Sequence, residues 1–407
     1  MTAALRLFAG YGVELEYMMV ERDSLEVLPL ADQLLCQVAG EQVNELRRGA
    51  LRWSNELVLH VVELKTDGPA AHLEGLAAEF SAHIAEINRL LAPLGGMLMP
   101  GAMHPWMDPD TQTRLWPHGN RDIYRAYDRI FGCRGHGWSN LQSAHLNLPF
   151  ADDEEFGRLH AAIRLILPLL SALAAASPVM DGSATGLLDN RLEVYRHNQA
   201  RIPQIAGQVI PEAAFDANAY REQIFTPMYA AIAPQDPRGI LQEEWLNSRG
   251  AIARFDRNTI EIRLLDVQEC PAADLAIAQL VVAALKDLVA EARVSYSEQQ
   301  AWSTARLAGL FVDILHGPDL PLSDSDYLQL WGLKEAQASP LAVWRKLAEN
   351  LLPAGAPARQ VLDVIFAEGP LAARLLRALG PNPGRDRLAA VYRELCTCLQ
   401  RGEMFHA

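Results

Sequence analysis

The chain has 407 residues, half of them hydrophobic and 21% charged, with a formal net charge of −14. Such a length and composition provide for a large buried core. The acidic balance argues against a nucleic-acid surface, which needs clustered Lys and Arg, but not against a nucleotide bound through a divalent cation. Five scattered cysteines, Cys36, Cys133, Cys270, Cys396 and Cys398, suggest reduced thiols and a cytoplasmic protein.

In chain order, the N-terminal segment shows no leader pattern and runs into an alternating stretch, GVELEYMMV (12–20), that predicts a strand. Residues 26–50 are mixed, with helical spacing around Ala31 to Val38. NELVLHVVELK (55–65) predicts one continuous strand, closed by the turn Thr66-Asp67-Gly68-Pro69. Residues 70–93 carry apolar residues at helical period and stop at Pro93 and Gly95-Gly96. Met97 to Met99 predicts a short buried strand. Residues 101–140 are rich in aromatics, Pro, Gly and Arg, with a helix around 120–131. A loop region of that size in a compact protein is more often functional than idle.

LQSAHLNLPF (141–150) predicts another strand and 154–176 a helix. The apolar run around Ile163 to Met180 is interrupted by prolines and too short to span a bilayer. It predicts a buried helix, and no membrane partner is expected. Residues 181–215 are loop-rich, 251–266 predict a hairpin turning at Asp256-Arg257-Asn258, and Pro271 opens a helix over 272–292. The remainder is helical. The expected class is therefore α+β, with a core over 1–290 and a helical region over 291–407 packed on it.

Residues two apart on a strand share a face. Glu14 and Glu16 therefore face one way on the first strand, as do Glu63 and Lys65 on the second. Ser143, His145 and Asn147 share a face on the third, and Thr259, Glu261 and Arg263 on the fourth. For any one strand this is the pattern of a solvated face. Four strands carrying Glu and His together point elsewhere, because clustered carboxylates repel unless a cation lies between them. Hard cations such as Mg²⁺ or Mn²⁺ favour carboxylate oxygens and share their shell with phosphate. Glu56 lies seven residues before Glu63, so on a regular strand it points to the opposite face. It joins the set only if the chain turns between them.

The loops add His104 in the turn GAMHPW (101–106), Arg191 within 189–201, and Arg249 and Arg254 just before the fourth strand. A Gly-rich phosphate loop, a G-x-S-x-G elbow and an H-E-x-x-H helix are all absent. A bound nucleotide is then held through metal ions and Arg or Lys side chains.

GVELEY (12–17), NELVLHVVELKTDGP (55–69), GAMHPW (101–106), SAHLNLPF (143–150) and RNTIEIRLLDVQECP (257–271), in this order, resemble the glutamate–cysteine ligase family 2. The resemblance implies a glutamine-synthetase-like fold, in which a curved, mostly antiparallel sheet forms a funnel with helices outside. It implies an ATP- and Mg²⁺-dependent carboxylate–amine ligase, Mn²⁺ being an alternative, that makes an amide or γ-glutamyl bond through an acyl phosphate. Glu14, Glu16, Glu56, Glu63, His145 and Glu261 are the implied metal ligands. Arg263, Glu63 and His145 are the implied catalytic groups, Lys65, Arg254 and Arg263 the nucleotide contacts, and Arg191, Arg249, Asn147 and His104 the substrate contacts. The partners implied are small molecules, an amino acid such as glutamate and an amine; the chain's oligomeric state is left open. The segment DNRLEVYRHNQARIPQIAGQVIPE (189–212) departs from the well-characterised glutamate–cysteine ligases, which leaves the substrate pair open. The competing readings are a metal-dependent amide hydrolase on the same residues and a non-catalytic relative that binds nucleotide or amino acid.

Overall fold

The computed structural model describes residues 4–317 and 320–407. Its strands are, in chain order, β1 (Gly12–Glu21), β2 (Glu45–Arg48), β3 (Leu51–Asn55), β4 (Val61–Thr66), β5 (Gly96–Met99), β6 (Ser143–Pro149), β7 (Val179–Met180), β8 (Ser183–Ala184), β9 (Ala251–Arg254) and β10 (Thr259–Asp266). All but β7 and β8 join one antiparallel sheet in the order β2-β3-β4-β1-β6-β10-β9, and β5 pairs with the far half of β1. The expected α+β architecture, with an antiparallel sheet and outer helices, is what the chain adopts.

The period-two pattern sets the two faces of the sheet. Val13, Leu15 and Tyr17 of β1 and Leu146 and Leu148 of β6 are buried on the apolar side. The helix Pro271–Val289 runs beneath β1: Asp274 in its first turn acts on Tyr17, and Lys286 in its last turn lies 5.6 Å from the Tyr11 ring. The helix stops at Val289, short of the expected 292, and Glu291 takes a positive φ of 54°, which does not propagate a right-handed helix. The apolar stretch Asp153–Ala174 is long enough to cross a membrane, yet 94% of its most apolar window is buried inside the protein. Two later helices lock onto it, through Tyr327 Oη donating to the Leu165 carbonyl at 2.7 Å and Trp344 Nε1 to the Leu169 carbonyl at 2.8 Å.

One expected element breaks in two. Residues 55–65 are not a single strand: β3 ends at Asn55 and β4 begins at Val61. The backbone between them bonds instead to the 101–140 region, with Leu59 N–H donating to the Arg114 carbonyl (2.8 Å) and Trp116 N–H to the Leu57 carbonyl (2.9 Å). With those polar groups satisfied elsewhere, the ladder need not continue. Of the β2–β3 hairpin, β2 lay inside the 26–50 stretch read only as mixed, and β3 fell in residues 51–55, ending on the first residue of the expected strand.

Candidate active site

The strand register aligns the charged residues. Glu14 stands opposite Lys65 on β4 and His145 on β6, Glu16 opposite Glu63, and Asn147 opposite Glu261. Because β3 ends early, the chain turns at Glu56 and brings it to the same face. One ligand atom each from Glu14, Glu63 and His145 lie within 4.8 Å of one another, and the same holds for Glu16, Glu56 and Glu63. Glu63 thus belongs to two trios and bridges them.

Hydrogen bonds orient the ligand atoms. Ser54 Oγ donates to Glu63 at 2.6 Å, Ser143 N–H to Glu16 at 2.7 Å, and Asn147 Nδ2 to Glu14 at 3.1 Å. His145 Nδ1 lies 3.0 Å from Glu14 and 3.7 Å from Glu261, and its Nε2 is 2.8 Å from Ser143 Oγ. Lys65 Nζ bridges Glu63 (2.8 Å) and Glu45 (2.9 Å), and Arg263 Nε is 2.9 Å from Glu261.

The electrostatics describe a site short of positive charge. Burial, then the charge of Glu261, raises Glu14 above the usual carboxylate range. Burial also raises Glu16, Glu63 and Glu56, with the neighbouring glutamates adding to the shift, and Glu56 is raised furthest. Glu261 is the exception: burial works against its charge, but Arg263 and His145 outweigh it and hold the pKa low. Burial keeps His145 below the usual imidazole value despite its acidic neighbours, leaving a neutral ring able to coordinate a metal. Four carboxylates, Glu16 and Glu63 buried and Glu14 and Glu56 half-buried, with one imidazole are a donor set for Mg²⁺ or Mn²⁺, and two trios sharing one carboxylate fit a pair of cations.

Two cavities meet the cluster from opposite ends of the strands. The first, of about 320 Å³, reaches Glu16, Glu56, Ser143, His145 and Arg263. Its wall comes from short helices and turns of the segments between strands, with Tyr124, Tyr127 and Trp138 from 101–140, Arg191, Tyr195, Asn198 and Gln199 from 181–215, and Trp245. Tyr127 packs against Trp138 and Trp245 at centroid distances of 5.2 and 6.2 Å. The second cavity, of about 440 Å³, reaches Gly12, Glu14 and Asn147 and is edged by Lys65, Arg52, Gly68 and the Arg257-Asn258 turn of the β9–β10 hairpin. Gly12 lets Asn147 sit close against β1 at this end, since a Cβ there would lie 2.8 Å from Asn147 Cβ.

Some expected site residues lie elsewhere. His104 is fully buried, with Nε2 on the Leu25 carbonyl at 2.7 Å and Nδ1 accepting from Trp106 N–H at 3.2 Å. Both ring nitrogens are occupied, so it braces a turn and is not free for substrate. Arg249 is also buried, clamped by Glu212 through contacts of 2.5 and 2.6 Å and by the carbonyls of Gln204 and Ile205. It lines neither cavity. Arg254 is taken up by Asp256 at 3.0 and 3.1 Å and also lines neither. The aromatic wall was missed one residue at a time, although its source, the aromatic-rich 101–140 stretch, stood out in composition.

Residues 11–327 match the sequence profile described as Glutamate-cysteine ligase family 2. The chain belongs to that family, a group of carboxylate–amine ligases. It is 32% identical to an uncharacterized protein of Archaeoglobus fulgidus, over 95% of this chain and 97% of that one. It is 25% identical to a Corynebacterium efficiens protein provisionally named glutamate–cysteine ligase 2-1, over 63% of this chain and 60% of that protein's length. Among solved structures it is similar to the glutamate–cysteine ligase of Francisella tularensis in complex with AMP, with a TM-score of 0.61, 14% identity, and coverage of 95% of this chain and 88% of that one. That likeness is one of fold.

Proposed function

We propose that this ligase uses ATP and Mg²⁺ (or Mn²⁺) to join the carboxylate of an amino acid such as glutamate to an amine through an acyl phosphate. The observation that carries the reading is the pair of carboxylate trios sharing Glu63 between two cavities. Glu16, Glu56 and Glu63 would hold one cation, and Glu14, Glu63 and His145 the other, with Glu261 beside the second. The cations would neutralise phosphate charge and bring the phosphate and carboxylate oxygens together. The second cavity suits the nucleotide, since Lys65 and Arg257 edge it and Glu14 and Asn147 lead from it to the cluster. The first suits the acid and the amine, with Arg191 and Arg263 at its polar end and aromatic rings around the rest.

In this reading an oxygen of the acid's carboxylate attacks the γ-phosphorus of ATP, and the bond to the ADP oxygen breaks. The amine then attacks the acyl carbon, loses a proton, and phosphate departs with its bonding pair. Arg263 lies where charge builds on the transferred group. No protein nucleophile is called for. The core is taken as 1–290, with 291–407 packed on it, in a cytoplasmic enzyme. A metal-dependent amide hydrolase is disfavoured because such sites draw on more imidazole than the single His145 supplied here.

The test is ADP release from ATP and Mg²⁺ with glutamate against a panel of amines, repeated with Glu261→Gln. Acid- and amine-dependent release that collapses in the variant supports the reading. Release that no acid or amine stimulates defeats the ligase chemistry, and release indifferent to Glu261→Gln defeats the site.

A further inference from the structure

The alternation of β10 puts Asp266 with Ile260, Ile262 and Leu264 on the apolar face. The pairing with β6 does not keep that register: Ile262 pairs with Leu146, but Leu265 pairs with Ala144 and Asp266 with Ser143. β10 therefore carries one extra residue between Ile262 and Leu265. A one-residue slip turns every later side chain to the other face. The bulge delivers Asp266 to the side of Ser143, which is the side of the site.

There both carboxylate oxygens are committed. Oδ2 accepts from Ala176 N–H at 2.7 Å and from Ser177 Oγ at 3.0 Å, and Oδ1 accepts from Arg191 Nε. Arg191 N–H in turn donates to Ser177 Oγ at 3.1 Å. Asp266 and Arg191 are 1% and 2% exposed. The other edge of the guanidinium is barely used: Nη1 and Nη2 reach only the Arg263 carbonyl, at 3.3 and 3.4 Å. These are long for bonds from a charged donor. The remaining Nη hydrogens have no partner among the described residues, and Arg191 lines the first cavity beside Glu16, His145 and Arg263.

A buried guanidinium with one edge fixed and the forked edge open to a cavity is built to receive a planar anion. We propose that Asp266 is a positioning residue. It clamps the Nε edge of Arg191 so that the Nη edge meets a carboxylate of the acid substrate. The assignment rests on the ligase reading of the first cavity. Arg191 lies in a short helix behind a loop-rich segment, where a lone guanidinium has many rotamers; the bulge-delivered carboxylate selects one, so ordering is not charged against binding.

The experiment compares wild type, Asp266→Asn, Arg191→Met and the double variant. In Asp266→Asn the amide oxygen can still accept from Ala176 and Ser177, while its NH₂ meets Arg191 Nε donor to donor. We expect KM for the acid to rise roughly 10- to 100-fold, with KM for ATP little changed and the melting temperature lowered, because a buried pair loses one charge. In the Arg191→Met background the same substitution should add nothing to KM. Ser177→Ala, which removes one bond to Asp266, should raise the acid KM in the same direction by less, and covers the case in which Asp266→Asn folds poorly. Glutamate binding with Mg²⁺ and ADP, followed by tryptophan fluorescence, gives a readout without turnover. An acid KM or glutamate affinity unchanged in Asp266→Asn, or effects that add to those of Arg191→Met, overturn the positioning role. Absence of ADP release with every acid and amine overturns the ligase reading instead, while the glutamate titration still tests the clamp.

Discussion

The sheet face and the arginine-bearing loops balance buried charge in opposite ways. On the sheet face, Glu14, Glu16, Glu56 and Glu63 are pushed toward their neutral forms, with Lys65 in contact with Glu63. In the loop-rich segments off the sheet, Arg249 is paired with Glu212, and Arg191, on a short helix there, with Asp266. A closed pair is a structural element, because its charge is already satisfied. An unbalanced cluster of carboxylates gains from a cation between them. Arg191 stands between these cases, with one edge closed and one open.

The largest effect should come from the residue both trios share. Glu63→Gln keeps the size of the side chain and removes a ligand charge from both proposed cation sites, so kcat/KM should fall on the order of 10³-fold. Its fold should persist, and a melting curve checks that. The same curve separates a metal site from a merely acidic surface. Saturating Mg²⁺ should stabilise wild type by about 3 kcal/mol at a hundredfold excess over Kd, and Glu63→Gln should lose most of that gain. A variant that keeps full activity and the full Mg²⁺ response would erase the distinction between cluster and closed pairs.

Arg249→Met should do the reverse of Arg191→Met. Arg249 is 3% exposed and holds Glu212, which keeps about 30% exposure of its own. Removing it should cost stability, roughly 2–4 kcal/mol, with water tempering the penalty on Glu212. The acid KM of the surviving folded fraction should stay near wild type. Urea unfolding read beside steady-state kinetics checks both halves. An acid KM that rises as steeply as in Arg191→Met would return Arg249 to the substrate site.

The same contrast explains what the sequence disclosed. Glu14, Glu16, Glu63, His145 and Glu261 could be grouped because a strand has one period, and residue type at that period reveals the face. Nothing local marked the turn that carries Glu56 to them, since it depends on Leu59 N–H donating to the Arg114 carbonyl and the Leu57 carbonyl accepting from Trp116 N–H. Nor did anything local mark the bulge that turns Asp266 over. A lone Asp in the apolar register of TIEIRLLD was the available hint. The arginines were the hardest case. Arg191 and Arg249 look alike in composition, and their roles are separated by partners 75 and 37 residues away.

The smallest effect tests whether the 101–140 region divides between chemistry and support. Tyr127 and Trp138 face the first cavity, while His104 is buried with both ring nitrogens bonded. Burial lowers the His104 pKa to about 4, against an ordinary value of 6.5. The folded state therefore resists protonation that the unfolded chain accepts. The contribution to stability is intact above pH 6.5, declines as pH falls through the interval, and is spent near pH 4. Its ceiling is about 3 kcal/mol. Other buried groups, His60 among them, share the trend, so the comparison must be differential. His104→Asn lowers stability at every pH by losing packing, but its stability should fall less steeply than wild type between about pH 6.5 and 4. Chemical unfolding at several pH values measures that slope. Parallel slopes, together with an acid KM that shifts in the variant, would move His104 from the supporting turn back to the substrate.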